Sequence, residues 1–198
     1  MPEHAARSRV AIVRTRPATV LDDVARAMEL AGAAQALPAG APVILKDNIT
    51  WHLPFLSANT TPWQLEGAVR WLRAQGRDLI AVHNDTVVTD PHSGLRNLKL
   101  QPIYDRYGIP QRFVNEPESV VWENMRPRAA TPWLDRVYPE GLAFPQMFRG
   151  KSVVHFPTVK THIYTTTTGS IKNAFGGLLN TKRHWCHTWI HGVLADLL

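Results

Sequence analysis

Three short apolar runs in this chain each stop in a knot of polar residues, and that pattern constrains the fold more than any other feature. Val43–Leu45 runs into Lys46-Asp47-Asn48, and Leu79–Val82 runs into His83-Asn84-Asp85. Ser152–Val154 runs into His155, then Phe156-Pro157 and Lys160-Thr161-His162. Runs this short that are apolar throughout read as strands buried on both faces. Helical signals lie between them. Thr19 opens one pattern, with Val20, Leu21, Val24 and Met28 on one face and Asp22 and Asp23 in the first turn. Thr61-Pro62-Trp63-Gln64 has the order of a capped helix start, followed by Leu65, Ala68, Val69 and Leu72 at helical spacing and Gly76 as the stop. Strands alternating with helices give an α/β fold: a mostly parallel sheet with helices on both faces. Parallel strands bring the three polar knots to one carboxyl edge, where open α/β sheets place their ligands.

The remaining segments carry weaker signals. Arg9–Thr15 reads as a further strand, Leu95 to Tyr107 as a helix ended by Gly108, and Arg112–Val114 as a short strand. Prolines 117, 127, 132, 139 and 145 interrupt every periodic run in 115–149, which reads as a long irregular insertion with one short hairpin. A helix is expected over Gly169 to Leu179, with Gly176-Gly177 at its end, and a final one over His184 to Leu198. That last helix has no stop signal, as if it led to another strand. The 198 residues thus read as a single α/β domain and as the front part of a longer one, possible truncation included.

Composition bounds the function classes. Apolar residues make up 44% and charged residues 19%, enough apolar matter for a core and too much for a disordered chain. No apolar run approaches the roughly 18 residues of a membrane helix, so no membrane partner is expected. The lone Cys186 excludes an internal disulfide or a self-held iron–sulfur site, and the expected setting is cytoplasmic. The net charge of +6 is uneven: residues 151–198 hold five basic side chains, one acidic side chain and five of the nine histidines. A local positive field of this kind attracts phosphates, carboxylates or nucleic acids.

Several clusters give that field a chemistry. Thr165 to Thr168, then Gly169-Ser170-Ile171-Lys172-Asn173, leads small hydroxyl residues into a helix that can present N–H groups to an anion, although the P-loop spacing is absent. On an α-helix His184, His187 and His191 would fall on one narrow arc beside an apolar stripe that includes Cys186. That arc suits proton transfer, a metal site completed by Asp85 or Asp47, or a structural border. Cys186 on the apolar side reads as an inert buried thiol. Of the seven tryptophans, Trp63 and Trp71 suit helix packing, whereas Trp51 and Trp122 sit in polar loops where they could stack on a ligand.

These residues together resemble the domain of unknown function 362 family. The resemblance runs over about residues 9–198. It is carried by Lys46-x-Asn48, Thr61-Pro62, His155-Phe-Pro-Thr-Val-Lys160-Thr-His162, Gly169-Ser-Ile-Lys172-Asn173-Ala-Phe175-Gly176, Lys182, His187 and Leu194-Ala-Asp196-Leu197. The family usually has Lys-Pro-Asn at the first of these, and this chain has Asp47 in the middle. The resemblance implies motif positions at Lys46, Asn48, Lys160, His162, Lys172, Asn173, Gly176, Lys182 and His187. It implies no established activity. Some members carry a ferredoxin-like iron–sulfur module; this chain has no Cys-x-x-Cys.

The reading favoured is an anionic small molecule held by Lys46, Lys160, Lys172 and Lys182 and oriented by Asn48 and Asn173, with His162 or His187 moving protons. No cofactor is assigned, and a redox role would need an external iron–sulfur electron carrier. A metal-dependent hydrolase, a nucleic-acid-binding module and a non-catalytic fragment that needs a partner remain as alternatives. Nucleic acid is disfavoured by the modest charge and the lack of a recognised motif.

Overall fold

In a computed structural model of the chain, residues 8–179 and 181–198 are described, Thr181 and Lys182 through their backbone alone. The elements run α1 (Val20–Leu30), α2 (Ala33–Ala36), β1 (Val43–Asp47), α3 (Pro62–Ala74), β2 (Leu79–His83), α4 (Pro91–Asn97), α5 (Gln101–Arg106) and β3 (Gln111–Phe113). They continue with β4 (Trp122–Met125), α6 (Pro132–Val137), β5 (Leu142–Pro145), β6 (Ser152–Phe156), β7 (Lys160–His162), β8 (Thr166–Thr168), α7 (Ser170–Leu178) and α8 (Ile190–Asp196). This is an α/β fold on one four-stranded sheet, ordered β3-β2-β1-β6 and parallel throughout.

The apolar runs become the central strands because every residue of β1 is buried. Val43 and Leu45 point to one face, against Leu65, Ala68, Val69 and Leu72 of α3 and Leu95 and Tyr104 beyond. Ile44 points to the other, with Val82, Val114 and Val120. The start of α3 is as its sequence predicts: the Thr61 hydroxyl accepts from the Gln64 N–H, and Pro62 occupies the first turn.

The strand order contains the feature that positions everything else. From β1 the chain moves outward through β2 to β3, then returns to place β6 on the opposite side of β1. The order therefore reverses between β1 and β6. Their register sets Lys46 beside His155 and Asp47 beside Phe156 at the carboxyl ends. A crevice at that end of such a reversal is the usual ligand position of an open α/β sheet.

Asp47 itself is spent on the fold. It is 1% exposed; His83 Nδ1 donates to its carboxylate at 3.1 Å, and the Tyr104 hydroxyl donates at 2.9 Å. Burial alone would raise its pKa, but His83, Lys46 and Tyr104 outweigh that and hold it below the ordinary carboxylate value. Burial and the facing carboxylate push Tyr104 well above the ordinary phenol value. The network ties β1, β2 and α5 together beneath the edge.

Four expectations need correction. Arg9–Thr15 forms no strand: it runs unpaired, with Val10 82% and Ile12 92% exposed, and joins neither edge of the sheet, whose outer strands are β3 and β6. The helix expected over Leu95 to Tyr107 is two helices. Lys99 breaks it with φ at +60°, and the first begins earlier, at an Asp90 cap whose carboxylate accepts from His92 and Ser93 N–H. Gly176-Gly177 lies inside α7 rather than ending it. The final helix is α-helical only from Ile190; Thr181–Trp189 is a 3-10 helix.

The insertion over 115–149 does contain an antiparallel pair, β4 with β5, but α6 fills the connection. It builds a second core with the end of the chain, in which Leu134, Tyr138 and Leu142 pack with Phe175, Cys186, Ile190 and Val193. Cys186 is fully buried there, and burial pushes its thiol up, in keeping with an inert group.

Removing the Tyr104 hydroxyl leaves a buried carboxylate short of a donor. Tyr104→Phe is expected to cost about 2 kcal/mol and to lower the melting temperature by about 5 °C. Calorimetry checks this; an unchanged transition would show that the network does not anchor the edge.

Candidate functional site

The site is built where α7 lies across the carboxyl ends of β1 and β6. Asn173, 4% exposed, is its pin: its amide Nδ2 donates to the Lys46 carbonyl at 2.9 Å and to His155 Nδ1 at 3.4 Å, while its Oδ1 accepts from Asn48 Nδ2 at 3.4 Å. One side chain thus joins α7 to both strands of the reversal. The helix approaches so closely that a Cβ on Gly177 would stand 2.9 Å from Lys46 Cε, and one on Gly176 would stand 3.3 Å from the Asn84 amide. This close approach accounts for two glycines within a helix whose propensity they weaken.

Three lysines converge, each placed differently. Lys46 is 3% exposed and, among the described residues, its ammonium makes a single hydrogen bond, to the Asp47 carbonyl at 3.0 Å. Burial pulls its pKa down to about 8, with Asp47 opposing the shift. Lys160 has its donors occupied by oxygens of the loop after β1: Asn48 Oδ1 at 2.7 Å, Thr50 Oγ1 and the Ala58 carbonyl. Its pKa also falls to about 8, through burial and then the charge of Lys172. Lys172, in the first turn of α7, lies 4.4 Å over the Phe175 ring and 3.5 Å from His187 Nε2. Burial and, secondarily, Arg183 bring it to about 8. Among the described residues no carboxylate bonds any of the three.

The two histidines predicted to move protons come together around Lys172. The rings of His162 and His187 are nearly parallel, 9° apart with centroids at 6.1 Å, and Tyr164 packs 4.7 Å from His187. Their hydrogen bonds assign opposite tautomers. His162 Nδ1 accepts from the N–H groups of Tyr164 (3.1 Å) and Thr165 (3.3 Å), so its proton is on Nε2. His187 Nδ1 donates to the His184 carbonyl at 2.7 Å, which leaves Nε2 as a lone pair facing Lys172. One ring can donate to a bound group and the other can accept from it. Burial is the main cause that lowers both pKa values, with Lys172 adding to it, so both rings are neutral at pH 7. His155, lowered to about 4 by burial and by Lys46, is neutral as well.

The arc of His184, His187 and His191 does not form, because the first two lie on a 3-10 helix and the third on α8. Among the described residues no three of His, Cys, Asp and Glu form a set that could hold a metal ion. Asp47 is engaged in the buried network, and Asp85 pairs with Arg183 at 2.6 Å. That ion pair, missed from sequence, ties the 3-10 segment to the loop after β2. Also missed were the contacts of Thr50 with Lys160, of Tyr164 with His187 and of His155 with Asn173, of which only His155 carried a signal, as a polar stop on its strand. The side chain of Lys182 lies outside the described residues.

A family profile described as "Domain of unknown function (DUF362)" matches residues 43–198. The chain belongs to the DUF362 family. The match begins at the first residue of β1, so it takes in the whole parallel sheet and every site residue named above. Neither the curated proteins nor the solved structures contain a match to the chain. Among the described residues of this DUF362 chain, no helix is long and apolar enough to cross a membrane.

In the DUF362 sheet edge Lys160 works as a clamp on the loop between β1 and α3. Lys160→Ala would leave three acceptors without their donor. A loss of about 2 kcal/mol, or roughly 4–8 °C in melting temperature, is expected. Faster amide exchange at Thr50, Trp51 and Thr60 should accompany it. Unchanged exchange in that loop would contradict the clamp.

Proposed function

We propose that this protein binds an anionic small molecule, through a phosphate or carboxylate group, at the carboxyl end of the β1–β6 crevice. The observation that carries the reading is Lys172: half-buried, set against the Phe175 ring and the His187 imidazole, and bonded by no carboxylate among the described residues. A buried cation is costly unless paired. An anion seated between Lys172, His162 and His187 supplies the missing charge, with Lys46 adding attraction from below. Thr168 Oγ1, buried just before α7 and without a hydrogen-bond partner among the described residues, adds an unsatisfied polar group at the same turn. The open N–H groups of the first turn of α7 favour negative charge there too.

In this arrangement Asn48, Asn173 and Lys160 fix the shape of the edge. His162 donates from Nε2, and the His187 Nε2 lone pair accepts a proton from the bound molecule. This pairing suits a proton-transfer enzyme whose anion is the substrate's handle. A redox version would take its electrons from an external iron–sulfur carrier, since the chain's lone cysteine is buried against Tyr138.

The pH dependence has a definite sign. Lysines lowered to about 8 lose protons in the free folded protein as pH rises through that value. The unfolded chain keeps them to higher pH, so between about 8 and 10.5 the free protein gains stability from these groups as pH rises. Anion binding favours the charged form and runs the other way. Phosphate affinity, corrected for phosphate's own second ionisation, is expected to fall at least tenfold between pH 7 and pH 9.5. Titration calorimetry should also show proton uptake at pH 8.5, and Lys172→Ala should weaken binding at least tenfold at pH 7. Affinity that ignores pH, or a Lys172→Ala variant that binds like the parent, would overturn the reading.

A further inference from the structure

The loop between β1 and α3 is built inside out. Asn59 is wholly buried and its amide is fully engaged. Its Oδ1 accepts from the N–H groups of Thr50 (2.8 Å) and Trp51 (3.1 Å), and its Nδ2 donates to the carbonyls of Leu53 (3.2 Å) and Phe55 (3.0 Å). The Lys160 ammonium adds bonds to Thr50 and Ala58 of the same loop. The polar groups are therefore inside. Outside, Trp51, Leu53, Phe55 and Leu56 are 42–53% exposed. A loop that faced only water would gain nothing from this order, and large apolar side chains gathered outward on one polar-cored loop point to a place where something binds.

The neighbouring loops continue the pattern. The Thr89 hydroxyl donates to the Thr50 carbonyl at 2.6 Å, which fixes the turn carrying Val87 and Val88 against the same loop. After β6, Ile163 is 89% and Tyr164 54% exposed, and Tyr164 packs on His187 beside Lys172. Hydrogen bonds converging on Thr50 tie the loop after β1 to the Thr86–Thr89 turn and to Lys160, and Tyr164 carries exposed apolar surface up to His187 beside Lys172. A second copy of this chain, also carrying a net +6, would meet like charge at the lysine-lined crevice.

We propose that the molecule bound here is an amphipathic anion: a phosphate or carboxylate head on an apolar body, the head at Lys172 and the body on the Trp51–Leu56 loop. This rests on the anion reading above and adds the class of ligand. Charge complementarity seats the head, and the exposed loop supplies the area for the rest.

The test compares inorganic phosphate, ethyl phosphate, octyl phosphate below its micelle concentration, and uncharged octyl glucoside, by calorimetry at pH 7. Each methylene fully buried on the loop tightens binding by up to about fourfold. Octyl phosphate is expected to bind at least tenfold tighter than ethyl phosphate. A Phe55→Ser, Leu56→Ser double variant, confirmed folded by circular dichroism, should lose most of that gain and keep its affinity for inorganic phosphate. Octyl glucoside should not bind measurably. Equal affinity for the two esters, or a double variant that keeps the whole gain, would overturn the amphipathic ligand and leave the anion site standing. Octyl glucoside binding as tightly as octyl phosphate would reduce the apolar surface to unspecific adsorption and overturn the amphipathic ligand as well. If none of the phosphates binds, the anion reading itself fails and takes this inference with it.

Discussion

The pairing of β1 with β6 sets Lys46 beside His155, and the Asn173 amide lies across both strands. Without that pairing the sheet would have no reversal of order at β1, and α7 would have nothing to cross. With it, a helix whose first turn carries Lys172 is fixed over the carboxyl ends of two strands. The packing is tight at Gly176 and Gly177, where a side chain would press on Asn84 and on the end of Lys46. The position of the site is therefore a consequence of topology, and its chemistry a consequence of what sits in one helical turn and two strand ends.

The energetics follow from the same geometry. Two kinds of buried charge meet at the edge. Asp47 is satisfied by His83 and Tyr104, so its carboxylate is engaged within the fold. Lys160 is satisfied by three loop oxygens and holds the loop. Lys172 has a ring face and an imidazole instead of a carboxylate. Desolvation with no compensating carboxylate lowers a lysine's pKa, and under the proposed function an anion bound there would restore the charged form. The neutrality of His162 and His187 has the same origin, and their opposite tautomers come from backbone groups within three residues of each ring.

Much of this was legible in the sequence. The strand ends Lys46, His83 and His155 were visible as polar stops on apolar runs, and the helix start at Thr61 as a cap followed by proline. Asn48 and Asn173 were flagged by resemblance and do meet, at 3.4 Å. What was not legible depends on long-range partners. The apolar residues of Arg9–Thr15 have strand character, but the segment joins neither edge of the sheet. Lys99 breaks a helix through a backbone angle that its residue type does not announce. The 3-10 path of Thr181–Trp189 places Arg183 on Asp85, 98 residues earlier in the chain, and no local pattern encodes that contact. Asp47 departs from the family's usual proline at a position where its carboxylate finds donors on β2 and α5, which only the assembled sheet supplies.

The most direct measurement is a pH titration of the lysine side chains by carbon-13 NMR, with and without phosphate, assigned through Lys46→Met and Lys172→Met variants. The account predicts that Lys172 titrates near 8 in the free protein and moves upward by a unit or more when phosphate is present. A Lys172 that titrates near the ordinary 10.5 and ignores phosphate would contradict it.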